Sequence, residues 1–193
     1  MRAKKHFIAV GLRAGLRGCL LIVWWIGFAP SVQAQSVEAC GPVPGVKAAL
    51  DQLSTYQWPA QTDWQYHEQR ASAIQALLGQ YPDDLFVQRT YISSMSDPSD
   101  RDKIIEQYKA RHEQAPDSPQ IDYLYGLTLL GRRTPEAVKL FDRVLEKAPK
   151  FPWPHLSLVI VYASPNFLDR QQSASHMKEF LGLCPEALEG YER

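Results

Sequence analysis

Histidine and cysteine, the side chains that most often act as general bases, nucleophiles or metal ligands, are widely spaced in this 193-residue chain. Beyond residue 34 they are His67, His112, His155 and His176, together with Cys40 and Cys184. The histidines form no H-E-x-x-H pair, and the cysteines form no Cys-x-x-Cys pair. Glycine-rich phosphate loops and the Gly-x-Ser-x-Gly nucleophile motif are also missing from the sequence. The sequence therefore predicts no catalytic residue, no metal site and no cofactor.

Cys40 and Cys184 have two interpretations. In an oxidising compartment two cysteines commonly pair, and this bridge would close a loop containing most of the chain. Alternatively both are unpaired thiols, because an extended helical array would hold the two ends of the chain far apart. The sequence leaves the choice open.

Residues 1–34 have the three parts of a secretory signal peptide. Met1–Arg17 is basic and contains no acidic residue, and an apolar run of 11 residues, Cys19–Ala29, follows it. Val32-Gln33-Ala34 then provides a small-x-small cleavage site. We expect cleavage after Ala34 and a secreted or periplasmic protein. An uncleaved membrane anchor and a lipoprotein acylated at Cys40 are the alternatives.

Charge is distributed unevenly along a chain whose formal net charge is zero. The first 34 residues contain five basic residues and no acidic one, so the remainder holds 16 basic against 21 acidic residues. Proteins that bind nucleic acids present a basic face to the phosphates. The net charge of −5 beyond residue 34 argues against such a partner.

Four prolines mark a repeat. Pro82, Pro116, Pro149 and Pro185 are separated by 34, 33 and 36 residues. The positions four, eight and eleven residues before each proline lie on one helical face and are apolar, with His112 as the exception. We interpret His112 as a core or rim histidine with satisfied hydrogen bonds. Because proline cannot continue a helix, each repeat is predicted to end there.

Helix starts precede these segments. Ser118-Pro119 and Thr134-Pro135 each place an N-cap residue before a proline at the first helical position. The predicted unit is a helix, a tight turn, a second helix and a proline.

The copy at 118–149 resembles a tetratricopeptide repeat (TPR). The family's large, glycine, alanine, aromatic and proline positions are occupied by Tyr125, Gly126, Ala137, Phe141 and Pro149. This copy is one residue shorter than the family pattern, and the copies at 84–116 and 151–185 lack the glycine. The resemblance implies an all-α solenoid of about three to four stacked helical hairpins after the signal peptide.

The predicted organisation has five segments. They are a signal peptide at 1–34, a flexible mature N-terminus at 35–43, a capping helical pair at 44–80, TPR-like repeats at 81–185 and the start of a further or capping helix at 186–193. The last segment permits either a complete protein or a longer one with another domain beyond it.

In the TPR family the first helix of each repeat lines a concave groove that holds a peptide or a partner's helix. The resemblance assigns this role to Arg89, Ser93, Gln120, Tyr123, Leu127 and His155. The Lys/Asn clamp that some members use for a terminal carboxylate is missing. We therefore expect a peptide with both apolar and polar side chains.

These features together predict an exported, non-catalytic adaptor that binds a protein or peptide partner, with membrane contact only through an uncleaved signal segment. One alternative is the N-terminal helical part of a longer exported enzyme, for example one with a thioredoxin-like domain. The other is a structural solenoid that self-associates through its open C-terminal repeat.

Overall fold

Eight helices account for most of the chain in the ranges that the computed structural model describes, 39–55, 62–94 and 98–188. They are α1 (Pro44–Thr55), α2 (Asp63–Gln80), α3 (Leu85–Ser94), α4 (Pro98–Gln114), α5 (Pro119–Leu129), α6 (Thr134–Lys147), α7 (Pro152–Ala163) and α8 (Arg170–Leu183). A 3-10 turn at Pro185–Leu188 follows α8, and these ranges contain no β-strand. The predicted all-α class is confirmed. The predicted signal peptide and residues 189–193 lie outside the described residues.

The four repeated prolines stand just beyond helix ends, as their spacing predicts. Pro82, Pro116, Pro149 and Pro185 each lie two residues after the last residue of α2, α4, α6 and α8. Proline lacks an N–H group and its ring clashes with the preceding turn of a helix. These positions therefore set the length of every second helix.

Short polar side chains satisfy the free N–H groups at several helix starts. Ser118 Oγ accepts a hydrogen bond from the Ile121 N–H at 3.4 Å, so its prediction as an N-cap is confirmed. Thr134 differs from the prediction, because it is already the first residue of α6. Its hydroxyl oxygen instead accepts from the N–H of Gly131, whose φ of +82° allows the sharp turn between α5 and α6.

A close approach of α5 to α6 depends on the absence of a side chain at Gly126. A Cβ atom there would lie 2.6 Å from Cε1 of Phe141. Phe141 and Ala137 are both fully buried, and the Phe141 ring also packs at 5.8 Å from the ring of Tyr123. These contacts make α5 and α6 one packed hairpin at the centre of the core.

The two ends of the described chain are covalently joined. Cys40 and Cys184 form a disulfide with Cα atoms 5.5 Å apart, so the alternative of two separated thiols is wrong. The carbonyl oxygen of Ala39 also accepts a hydrogen bond from Trp153 Nε1 at 2.9 Å. Residues 39–43, which belong to the segment predicted to be flexible, are thus held at two points.

Most helices pack against the next one along the chain, and α3 also packs against α1 and α5. Between α3 and α4 the Tyr108 hydroxyl donates a hydrogen bond to Gln88 Oε1. The odd-numbered helices α1, α3 and α5 therefore lie side by side in this order. All described residues belong to one structural unit, residues 33–193. Within the described ranges, no helix combines the length and the apolar character needed to cross a bilayer.

Candidate functional site

An open cavity of about 650 Å³ lies along the odd-numbered helices and is called the groove below. Its lining comes from α1, α3, α5 and α7, with single contributions from α4, α8, Pro42 and Ala187. The apolar part of the lining includes Leu50, Phe86, Ile92, Leu127, Leu130, Trp153, Leu156 and Phe180. A concave surface with this composition is typical of a ligand or peptide site.

Arg89 is the central charged residue of the groove. Its guanidinium carbon lies 3.8 Å from the ring centroid of Trp153 and 5.7 Å from that of Phe86. A cation over an aromatic ring is attracted by the ring's electron-rich face. No acidic side chain forms an ion pair with Arg89 among the described residues. The guanidinium therefore lies against the Trp153 ring, with no acidic partner in the described ranges.

Trp153 is itself held from several sides. Its ring meets that of Phe86 edge to face at 5.2 Å and packs at 5.6 Å from Phe180. The hydrogen bond from Nε1 to the Ala39 carbonyl fixes the rotation of the indole. Because Ala39 precedes the disulfide-bonded Cys40, the disulfide helps to position the Trp153 ring against which Arg89 lies.

The remaining charges of the groove lie on α1 and α4. Lys47 and Asp51 neutralise each other in an ion pair of 2.6 Å on α1. Arg101 contributes a second cation from α4, and none of the ion pairs between described residues includes it. The groove therefore has an excess of positive charge, although the chain beyond residue 34 is acidic.

Three of the six residues predicted for the groove line it, namely Arg89, Ser93 and Leu127. The Ser93 hydroxyl donates a hydrogen bond to the Arg89 carbonyl oxygen at 2.9 Å, so it presents only an acceptor to a ligand. Gln120 does not line the groove, because its Nε2 donates to the carbonyl oxygen of Asp83 at 2.9 Å. It links α5 to the turn before α3.

Tyr123 is completely buried, so its assignment to the groove surface is corrected. It stands one helical turn before Leu127, but the ring of Phe151 covers it at 5.1 Å. Its hydroxyl makes no hydrogen bond of good geometry among the described residues, although Ser157 and Arg89 lie near it. Burial raises the pKa of this hydroxyl, and the neighbouring Arg89 acts in the opposite direction. Tyr123 therefore lies beneath the groove as part of its support.

His155 is paired with His176 and does not line the groove. The two Nδ1 atoms are 3.0 Å apart, and the Tyr162 ring stacks on His176 at 5.8 Å. One neutral ring can donate its N–H to the lone pair of the other. Burial lowers the pKa of both histidines, and His176 lowers the pKa of His155 further, whereas Glu179 raises both.

A second polar cluster surrounds the fully buried Asp122. Of its members, the sequence pattern singled out only His112. His112 Nδ1 lies 2.7 Å from Asp122 Oδ1, and Lys147 Nζ lies 3.4 Å from Oδ2. Lys147 also donates to the carbonyl oxygen of Pro116 at 2.9 Å. The interpretation of His112 as a satisfied histidine is confirmed, since its partner joins α4, α5 and α6.

The described residues contain no group of three or more His, Cys, Asp or Glu side chains arranged to hold a metal ion. His112 contacts Asp122, and His155 contacts His176. Among the described residues, the groove leaves charged and apolar groups available to a ligand.

No protein-family model matches the chain. No curated protein is similar enough to be recognised as its relative.

Proposed function

We propose that the protein is an exported, non-catalytic adaptor built from TPR-like helical hairpins, which binds a segment of a partner protein in the groove. The observation that carries this proposal is the position of Arg89, which lies against Trp153 in an apolar concavity and has no acidic partner in the described part of the chain. A residue fixed before binding loses little conformational entropy when a ligand arrives. Such preorganisation favours binding of a partner segment in the groove.

The TPR-like part of the proposal is supported by packing in the best repeat copy. The family pairs a glycine on the first helix with an aromatic residue on the second, and Gly126 contacts Phe141 in this way. Contacts of α3 with both α1 and α5 fit an array in which first helices of neighbouring repeats adjoin.

Export is supported by the predicted signal peptide at 1–34 and by the Cys40–Cys184 disulfide. Disulfides persist in oxidising environments outside the cytosol. We therefore place the adaptor in the periplasm or outside the cell, where its partner would also be found.

The non-catalytic character rests on the chemistry around the groove. The groove contains arginine, lysine, aspartate and hydroxyl groups but no histidine or cysteine. General-base catalysis needs a proton acceptor within hydrogen-bond reach of the substrate, and the acid there, Asp51, is bound to Lys47. The side chains that line the groove therefore favour binding of a ligand over catalysis.

Partner capture tests the proposal. The chain, exported by its host with a C-terminal affinity tag, would be cross-linked in the extracytoplasmic fraction and purified as wild type, as Leu127→Glu and as Ile160→Glu. Leu127 lines the groove, whereas Ile160 is an exposed apolar residue of α7 that does not.

We expect the wild type and Ile160→Glu to recover the same partner and Leu127→Glu to lose it. Equal recovery by all three proteins would contradict binding in the groove. Recovery of the chain itself as the sole partner, dependent on protein concentration, would favour the self-associating alternative.

A further inference from the structure

We infer that the groove recognises an internal acidic side chain, Glu or Asp, flanked by large apolar residues in an extended partner segment. This inference rests on the proposed function and specifies its ligand. It follows from three properties of the groove: its uncompensated cations, the apolar surfaces beside them and the order of the helices that contribute both.

The charge requirement comes from Arg89 and Arg101. Both cations line the groove, and neither is neutralised by an acidic side chain among the described residues. By contrast, Lys47 already has Asp51 at 2.6 Å. A guanidinium binds a carboxylate through charge-assisted hydrogen bonds, which are stronger than bonds between neutral groups. A basic segment would meet repulsion at the same place.

The orientation of Arg89 strengthens this preference. One face of its guanidinium is covered by the Trp153 ring at 3.8 Å, and the aromatic contact removes part of its hydration. Part of its edge lies near the Tyr123 hydroxyl beneath the groove, and no acidic side chain among the described residues pairs with the guanidinium. Electrostatic attraction is stronger where neighbouring apolar surface excludes water.

Apolar surface lies on both sides of this cation. Leu50 belongs to α1, Arg89 belongs to α3, and Leu127 belongs to α5, which is the order in which these helices adjoin. Leu156 on α7 and Phe180 on α8 extend the apolar lining further. A segment whose carboxylate reaches Arg89 thus continues past it in both directions. The carboxylate therefore belongs to a side chain within the segment and not to a chain end.

A library of random short peptides, joined to carrier sequence at both ends so that no terminus is free, tests this ligand class. The library would be selected on the full exported chain and, separately, on its Leu127→Glu variant. We expect the wild type to enrich peptides in which Glu or Asp lies next to Leu, Ile or Phe, and Leu127→Glu to enrich none of them.

The enriched peptide and its Glu→Gln or Asp→Asn analogue would then be titrated by calorimetry against three proteins: wild type, Arg89→Gln and Arg143→Gln. Arg143 is an exposed arginine of α6 outside the groove and is the matched control. On the wild type and Arg143→Gln we expect the analogue to bind at least about tenfold more weakly, because a charged hydrogen bond is lost. On Arg89→Gln this acid preference should be lost, apart from the smaller part that Arg101 supplies.

Other results of the selection and the titrations would contradict the inference, the proposed function or both. Groove-dependent peptides without acidic residues, or an acid preference that persists in full in Arg89→Gln, would overturn this inference and leave the proposed function standing. If no peptide is enriched on the wild type relative to Leu127→Glu, both are overturned. Arg89→Lys retains the charge without the planar stack, so it should keep a reduced acid preference even if Arg89→Gln folds poorly.

Discussion

The Nδ1 atoms of His155 on α7 and His176 on α8 are 3.0 Å apart, so the last helical hairpin contains two imidazole rings that share one hydrogen bond. The ring that accepts this hydrogen bond must be neutral, and two protonated rings would repel each other. Around them, Asp142 and Glu179 raise the pKa of His176, and burial acts in the opposite direction as the largest effect. Burial raises the pKa of Asp142 itself, and Glu146 raises it further while His176 lowers it.

This pair makes folding stability depend on pH. The pKa of each histidine is lower in the folded chain than the ordinary value of 6.5, so the unfolded chain binds more protons just below that pH. The stabilising contribution is present above pH 6.5 and is lost as pH falls toward the folded pKa values. We expect thermal unfolding at about pH 5.5 to occur at a lower temperature than at about pH 7.5.

His176→Gln should reduce this difference, while His67→Gln, at an exposed position of α2, should preserve it. Asp142 has a raised pKa, so its own contribution to stability falls as pH rises above the ordinary carboxyl value of 3.8, which is opposite in sign to the contribution of the histidines. An unchanged pH difference in His176→Gln would contradict a role for the pair.

Gly126→Ala should destabilise the chain by about 1–3 kcal/mol, because the new methyl group would lie 2.6 Å from Phe141 Cε1 and force the packed ring to move. Gly79→Ala is the matched control on α2, where nothing lies within 4 Å of an added Cβ. That change should be neutral or stabilising by about 0.5–1 kcal/mol, since alanine favours a helix over glycine. Urea unfolding measures both, and equal effects would contradict the close-contact explanation.

Two buried tyrosines give opposite predictions for the loss of a hydroxyl. Tyr123→Phe removes an unpartnered buried hydroxyl and should leave stability unchanged or raise it by about 1 kcal/mol. Tyr108→Phe removes a hydroxyl that donates to Gln88 Oε1 at 3.1 Å, and should lower stability by about 1 kcal/mol. Equilibrium denaturation of the two variants checks the contrast. A loss of stability in Tyr123→Phe would mean that its hydroxyl is paired in solution.

Reduction of the Cys40–Cys184 disulfide should lower the free energy of unfolding by about 3–5 kcal/mol, since the bond restricts a long loop of the unfolded chain. Reduction should also weaken ligand binding in the groove, because it releases the segment whose Ala39 carbonyl holds Trp153. Denaturation and peptide titration with and without a dithiol reductant measure these effects. Binding that is unaffected by reduction of a still-folded chain would separate the disulfide from the groove.

Local sequence patterns predicted the helices well because their causes are local. The four prolines act on their own turn of the chain, and Ser118 caps the helix that follows it. The resemblance to a TPR also led to the assignment of Arg89 and Leu127 to the groove that they line. It failed for Tyr123, since helical phase gives the direction of a side chain but not how much of a neighbouring element covers it.

The remaining features depend on residues far apart in sequence. His155 meets His176 from another helix, and Asp122 meets Lys147 in the same way. The two residues of each pair are 21 and 25 positions apart in sequence, and neither separation indicates a contact. The pairing of Cys40 with Cys184 follows from how the helices bring the chain ends together, which no motif encodes.

The disulfide also determines how the protein would respond to mechanical load. Cys40 and Cys184 are separated by 144 positions in sequence but by 5.5 Å in space. Tension applied through the residues before Cys40 and after Cys184 would pass along the S–S bond and leave the helices between them unstretched. In a single-molecule pulling experiment, the extension from unfolding of this region should appear only after reduction. The groove would then stay intact while the chain on either side of it is under force.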